Sequence, residues 1–110
     1  MSAGAESELV FALSISSFTR RGYIGSASLG GKPVDLEFDD ADAGAFLTAE
    51  MLQRLGVKDG SKVLLVVEAD EEPVTAETIV SKAAKARISN ARVYYEVGRE
   101  GGAILRIRKA

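Results

Sequence analysis

The sequence predicts a mainly β protein with a minor helical part, a small barrel or closed meander of about six strands carrying two short helices. Three observations lead there. Apolar residues alternate with polar ones at Leu9, Phe11, Leu13 and Ile15, and again at Val34, Leu36 and Phe38, which is the period-two pattern of half-buried strands. Turn-forming residues recur at short intervals, in "TRRG" (19–22), "GGKP" (30–33) and "GREGG" (98–102), as tight connections between strands require. The chain has 110 residues, 46% of them hydrophobic and 27% charged, enough for one core without covalent staples.

Taken in order, residues 1–7 read as a tail and residues 8–110 as one domain. Strand one starts at Leu9; Tyr23–Leu29 is a second strand, diluted by Gly25 and two serines; Val34–Phe38 is a third, so the first forty residues form a meander. The polar "DDADAGA" (39–45) is a loop. Thr48 suits a helix N-cap, Ala49–Leu55 a short helix, and Gly56 the left-handed position that ends it. "KVLLVVEA" (62–69) is a continuous apolar run, the mark of a strand buried on both faces, and "DEEP" (70–73) breaks it. Thr75 then caps a helix over 75–86, whose stripe is Ala76, Ile79, Val80, Ala83 and Ala84, with Lys82, Lys85 and Arg87 towards its C-terminal end. Arg92–Val97 and Ala103–Lys109 close the chain as a hairpin around Gly101 and Gly102.

Composition narrows the chemistry. There is no cysteine and no histidine, which removes disulfides, thiolate zinc sites and the common Ser/His and Cys/His nucleophile pairs. No apolar run is long enough to span a bilayer and residues 1–8, "MSAGAESE", lack a signal-peptide pattern, so the expectation is a soluble, cytoplasmic, non-catalytic protein with no cofactor, no metal, no membrane and no small-molecule substrate. Asp39, Asp40 and Asp42 crowd one loop; their spacing fits no calcium-binding loop and reads as a solvated acidic turn. The glycines of "GSASLGG" (25–31) precede a strand and not a helix, so they read as turn residues and not as a phosphate cradle.

Charge is unevenly spread. Residues 1–81 hold 6 Lys/Arg against 14 Asp/Glu, and residues 82–110 hold 8 against 2, which suggests two faces with different partners. On the last strand Ala103, Leu105 and Ile107 face inward, leaving Ile104, Arg106 and Arg108 outward, with Arg92 on the partner strand and Tyr94 and Tyr95 facing opposite ways. Forked guanidinium groups on an exposed strand can meet carboxylates or phosphates.

Three segments in order, "LSISSFTRRGYIGSASLGGKPVDLEFDD" (13–40), "GSKVLLVVEADEE" (60–72) and "ARVYYEVGREGGAILRIRK" (91–109), resemble the small auxiliary subunit 8 of archaeal and eukaryotic RNA polymerases. The resemblance implies a closed antiparallel β-barrel of the oligonucleotide-binding type. It implies a non-catalytic auxiliary subunit of archaeal DNA-directed RNA polymerase, docked on the largest subunit and meeting nucleic acid only indirectly or weakly. The expected docking residues are Arg92, Tyr94, Gly101, Gly102, Arg106 and Arg108. "LTAEMLQRLGVKDGSKVLLVV" (47–67) in turn resembles the helix-turn-strand element of cradle-loop barrels. That implies two alternatives, a swapped-hairpin DNA-binding regulator of the AbrB type and a double-psi barrel subunit of a metal-cofactor oxidoreductase. A pI near 5.2 weighs against the first, because phosphate contact supplies much of DNA affinity.

Overall fold

The computed structural model describes residues 8–68, 70 and 72–110; the expected tail at 1–7 and the end of the 62–69 run lie outside the described residues. The elements in chain order are β1 (Glu8–Ala12), β2 (Ser14–Phe18), β3 (Tyr23–Leu29), β4 (Lys32–Asp39), β5 (Gly44–Leu47), α1 (Ala49–Leu55), β6 (Lys62–Glu68), β7 (Val74–Lys82), β8 (Arg87–Ser89), α2 (Ala91–Glu100) and β9 (Ile104–Lys109). The strands form one sheet in the order β1-β9-β6-β7-β5-β8-β4-β3-β2. β1 and β2 stand at the two ends of that order, yet only Leu13 separates them in the chain. A single bent strand therefore pairs with β9 through its first half and with β3 through its second. The sheet curls into a nearly closed barrel, which hides strand edges that would otherwise recruit other chains.

The mainly β barrel agrees with the sequence, but it has nine strands among the described residues where about six were expected, and it is not purely antiparallel. β4 pairs with β8, and β5 with β7, in parallel. The additional strands arise from the bend at Leu13 and from β5 and β8, which are 4 and 3 residues long. Elements so short carry too little pattern to be seen before their partners are known.

α1 forms as its caps demand. The Thr48 hydroxyl accepts from the Met51 N–H at 3.3 Å, and Gly56 adopts φ 74°, returning its N–H to the helix carbonyls. The helix expected over 75–86 is instead β7, and the strand expected over 92–97 is instead α2. In the first case five β-branched residues (Val74, Thr75, Thr78, Ile79 and Val80) lie within Val74–Lys82 and burial alternates along most of it. With β6 beside it to complete a ladder over Val74–Ile79, period two wins over the apolar stripe. In the second case Val93 and Val97 are buried one helical turn apart, Asn90 caps the Val93 N–H at 3.1 Å and Gly101 ends the helix at φ 74°. Capping thus outweighs the strand propensity of a Val-Tyr-Tyr run.

The core lies inside the barrel, where Phe11, Leu36, Phe38, Leu65, Ile88 and Leu105 are essentially inaccessible. α1 adds Met51 and Leu55, and α2 adds Val93 and Val97. β6 is buried at Val63, Leu65 and Val67 on one face and at Val66 on the other, close to the expectation for its apolar run. No helix among the described residues is long and apolar enough to cross a membrane.

Candidate binding surface

The six expected docking residues fall into two groups. Arg106 and Arg108 do point outward from β9 while Leu105 and Ile107 are buried, as alternation requires. Their neighbours are β1 and β6, however, and not a strand at 92–97. Arg106 Nε meets Glu68 Oε2 at 2.5 Å and its Nη1 meets Glu8 Oε1 at 3.3 Å, while Arg108 Nη1 lies 3.6 Å from Glu8 Oε2. The hydrogen bond and charge of Glu68, aided by Glu8, hold the Arg106 guanidinium still more firmly protonated. The arginine stripe is thus neutralised by the protein's own carboxylates.

Arg92 and Tyr94 belong to α2, and Gly101 and Gly102 form its exit rather than a hairpin turn. Gly102 has φ 150°, and a Cβ there would run into the Leu13 carbonyl oxygen and lie 3.0 Å from Ser14 Cα. Its close backbone approach within the chain is to the bend of the first strand.

A surface the sequence did not reveal lies at the other end of β3. Between Ile15 and Ser17 the β2–β3 register slips by one residue, and the Ser16 hydroxyl bonds back to the Ile24 carbonyl at 2.9 Å. Such a bulge turns the following side chains to the opposite face. Phe18 therefore comes opposite Tyr23 and shares its face. Tyr23 is the centre of a continuous aromatic array. It stacks on Phe38 at 5.2 Å and on Tyr94 at 4.9 Å; Phe18 meets it edge-on at 6.2 Å, and Tyr95 meets Tyr94 edge-on at 5.0 Å. The two ends are open to solvent, Phe18 at 76% and Tyr95 at 62% exposure.

Beside this array lies a cleft with two lobes of about 380 Å³ each. Arg21, Asp39 and Arg87 line both lobes; Arg20 and Glu37 line one, Asp40 and Ser89 the other. Arg21 comes from the β2–β3 turn and Arg87 from β8, residues that the parallel β4–β8 pairing brings to one face. Arg87 lies over the Phe46 ring, 4.4 Å from its centroid, and pairs with Asp39 at 3.7 Å. Arg20 and Arg21 make no ion pair among the described residues.

The acidic loop is more than a solvated turn. Asp42 Oδ1 accepts from the Ala91 N–H at 3.0 Å, Asp40 Oδ2 from the Tyr95 hydroxyl at 3.3 Å, and Asp39 Oδ1 from the Ala41 N–H at 3.1 Å. α2 has no acidic residue in its own first turn, so the loop supplies negative charge to the helix N-terminus from outside. Among the described residues no three carboxylates converge on a common metal position. The Asp40 carboxylate, by its charge and then its hydrogen bond, raises the Tyr95 pKa above 10.0.

Searches of protein-family models, of curated proteins and of solved structures each find no match to this chain.

Proposed function

We propose that this chain is a non-catalytic binding module that works by docking on a larger partner. The observation that carries this reading is the end of the barrel around Phe18, where a large apolar side chain stands mostly in solvent beside two arginines without ion pairs among the described residues. Exposed aromatic anchors next to arginine are the residues that dominate protein interfaces, and a small domain gains nothing in stability from holding a phenylalanine in water. The specific form we favour is an auxiliary subunit of DNA-directed RNA polymerase, docked on the largest subunit. Segments 13–40 and 60–72 support it through β2, β3, β4 and β6. Segment 91–109 supports it only through β9, because its first half is helical.

Affinity capture of the tagged chain from its own cell extract, with nuclease present and at moderate salt, tests the reading. Stoichiometric recovery of the large polymerase subunits is the expected result. Recovery of a homodimer alone would replace it with a second reading, the swapped-hairpin DNA-binding regulator, which one observation favours. That observation is α1, capped by Thr48 and Gly56, leading through a turn into β6, with Asp59 of the turn accepting from the Lys82 N–H at 3.0 Å.

A further inference from the structure

The cleft between the β2–β3 turn and β8 holds a buried hydroxyl and a second arginine that the docking reading leaves unexplained. Ser89 follows Arg87 by two residues on β8, so alternation sends both side chains to the same face. Ser89 nevertheless is 1% exposed, and its hydroxyl has no hydrogen-bond partner among the described residues. A buried hydroxyl without a partner is costly unless something completes it. Ser89 lines the same lobe as Arg21 and Arg87. One of these guanidinium groups has no ion pair among the described residues, and the other lies over Phe46 with a single carboxylate neighbour at 3.7 Å. Two forked donors converging from separate segments suit the oxygens of a phosphate.

The aromatic array sets the class of ligand. Phe18 directly precedes the lining residues Thr19–Arg21, and Tyr95 is bonded to Asp40, another lining residue. Two exposed rings therefore adjoin separate segments of an arginine-lined cleft. A mononucleotide offers one base, whereas two separated rings call for successive bases on a continuous backbone. The carboxylates in the cleft are mostly engaged. Asp39 serves Ala41 and Arg87, and Asp40 serves Tyr95, which leaves Glu37 as the one carboxylate there with no ion pair or side-chain hydrogen bond among the described residues.

We propose that this cleft binds single-stranded nucleic acid, with Arg21 and Arg87 on a backbone phosphate and Phe18 and Tyr95 stacking flanking bases. The inference shares Phe18 and Arg21 with the docking surface but needs no polymerase subunit, so a failed capture of polymerase subunits leaves it standing. With few cationic contacts and an overall charge of −2, binding belongs to the weak, non-specific range of about 10⁻⁴ to 10⁻⁶ M.

The test is fluorescence anisotropy of the full chain with a labelled oligo(dT) or oligo(U) of about twelve nucleotides, within the span of one small barrel, titrated at low and rising salt. One neutralised phosphate predicts a log–log salt slope of about −0.7. Phe18→Ala is expected to weaken binding about fivefold or more, and Arg21→Glu to weaken it and flatten the slope. Both residues are exposed, so circular dichroism should show the fold intact, and Arg106→Gln, on the far face, should bind like the wild type. Absence of binding at low salt overturns the proposal, as does binding indifferent to both Phe18→Ala and Arg21→Glu. Full displacement by inorganic phosphate or a mononucleotide would assign the cleft to a free phosphate ligand, and equal competition by duplex would remove the stacking role. Either outcome refutes the single-strand assignment.

Discussion

The Tyr23 hydroxyl donates to the backbone carbonyl of Tyr94 while the two rings stack 4.9 Å apart, so one side chain holds the start of β3 to α2. The contact also depends on Gly98, where a Cβ would come within 3.1 Å of the Tyr23 ring. Tyr23 is therefore the hub through which the helix, the first hairpin and the exposed Phe18 share one geometry.

Replacing Tyr23 with phenylalanine keeps the stacking and removes the hydrogen bond, which should cost about 1 kcal/mol. It should also change the response to alkali. Burial first, and then the neighbouring Tyr94, push the Tyr23 pKa above 10.0, with the Gly98 backbone opposing in part. A pKa raised in the folded state means the neutral phenol is favoured there. Its contribution is complete below pH 10.0 and is lost as pH rises through the folded value. Thermal melts at neutral pH and above pH 10.0 should show a smaller alkaline loss in Tyr23→Phe than in the wild type. An equal loss in both would detach alkaline sensitivity from this residue.

Gly102→Ala should be far more damaging than its small change in size suggests. The new methyl meets the Leu13 carbonyl in a backbone conformation with φ 150°, and neither side of that contact is a flexible side chain. Strain of this kind costs about 1–3 kcal/mol for the dihedral alone, before the displacement of the bend that closes the barrel. Urea unfolding checks it, and a midpoint equal to the wild type would mean that the bend at Leu13 is soft.

These two positions also show why the sequence was only partly legible. Period-two burial at Leu9, Phe11, Leu13, Leu36 and Phe38 and the caps of α1 are local signals, and they survive in the structure. The assignments over 75–86 and 92–97 fail for a common reason. Each segment carries apolar residues compatible with both periods, and the choice is made by partners far away: β6 for β7, and the interior of the barrel for α2. One local clue was present, because Asn90 and Gly101 bracket α2 as N-cap and left-handed stop. The arginine cleft had no such clue. Arg21 and Arg87 become neighbours only through the parallel pairing of β4 with β8, and Phe18 changes face only because of the bulge after Ile15.

The cap itself can be tested. Asn90→Ala removes the acceptor for the Val93 N–H, which should cost about 1 kcal/mol. Hydrogen exchange should accelerate first at the start of α2, and Asn90→Asp should restore protection, since a carboxylate accepts the same bond and suits the helix dipole. Uniform loss across the barrel in Asn90→Ala would show that α2 unfolds only with the whole.

The arginine stripe on β9 should prove structurally modest and sensitive to salt. Arg106 bridges Glu68 on β6 and Glu8 on β1 across the strand that separates them, so it links three strands on the outer face. All three side chains remain accessible to solvent, and exposed pairs lose most of their attraction to screening ions. Arg106→Gln should therefore lower the melting temperature less than Tyr23→Phe does, and the difference from the wild type should shrink as salt is raised. If instead the stripe docks a partner, the same variant should weaken capture of that partner while leaving stability at high salt unchanged. Melting curves across a salt series, read beside capture efficiency, separate a strut that holds β1, β9 and β6 together from a contact made with another molecule.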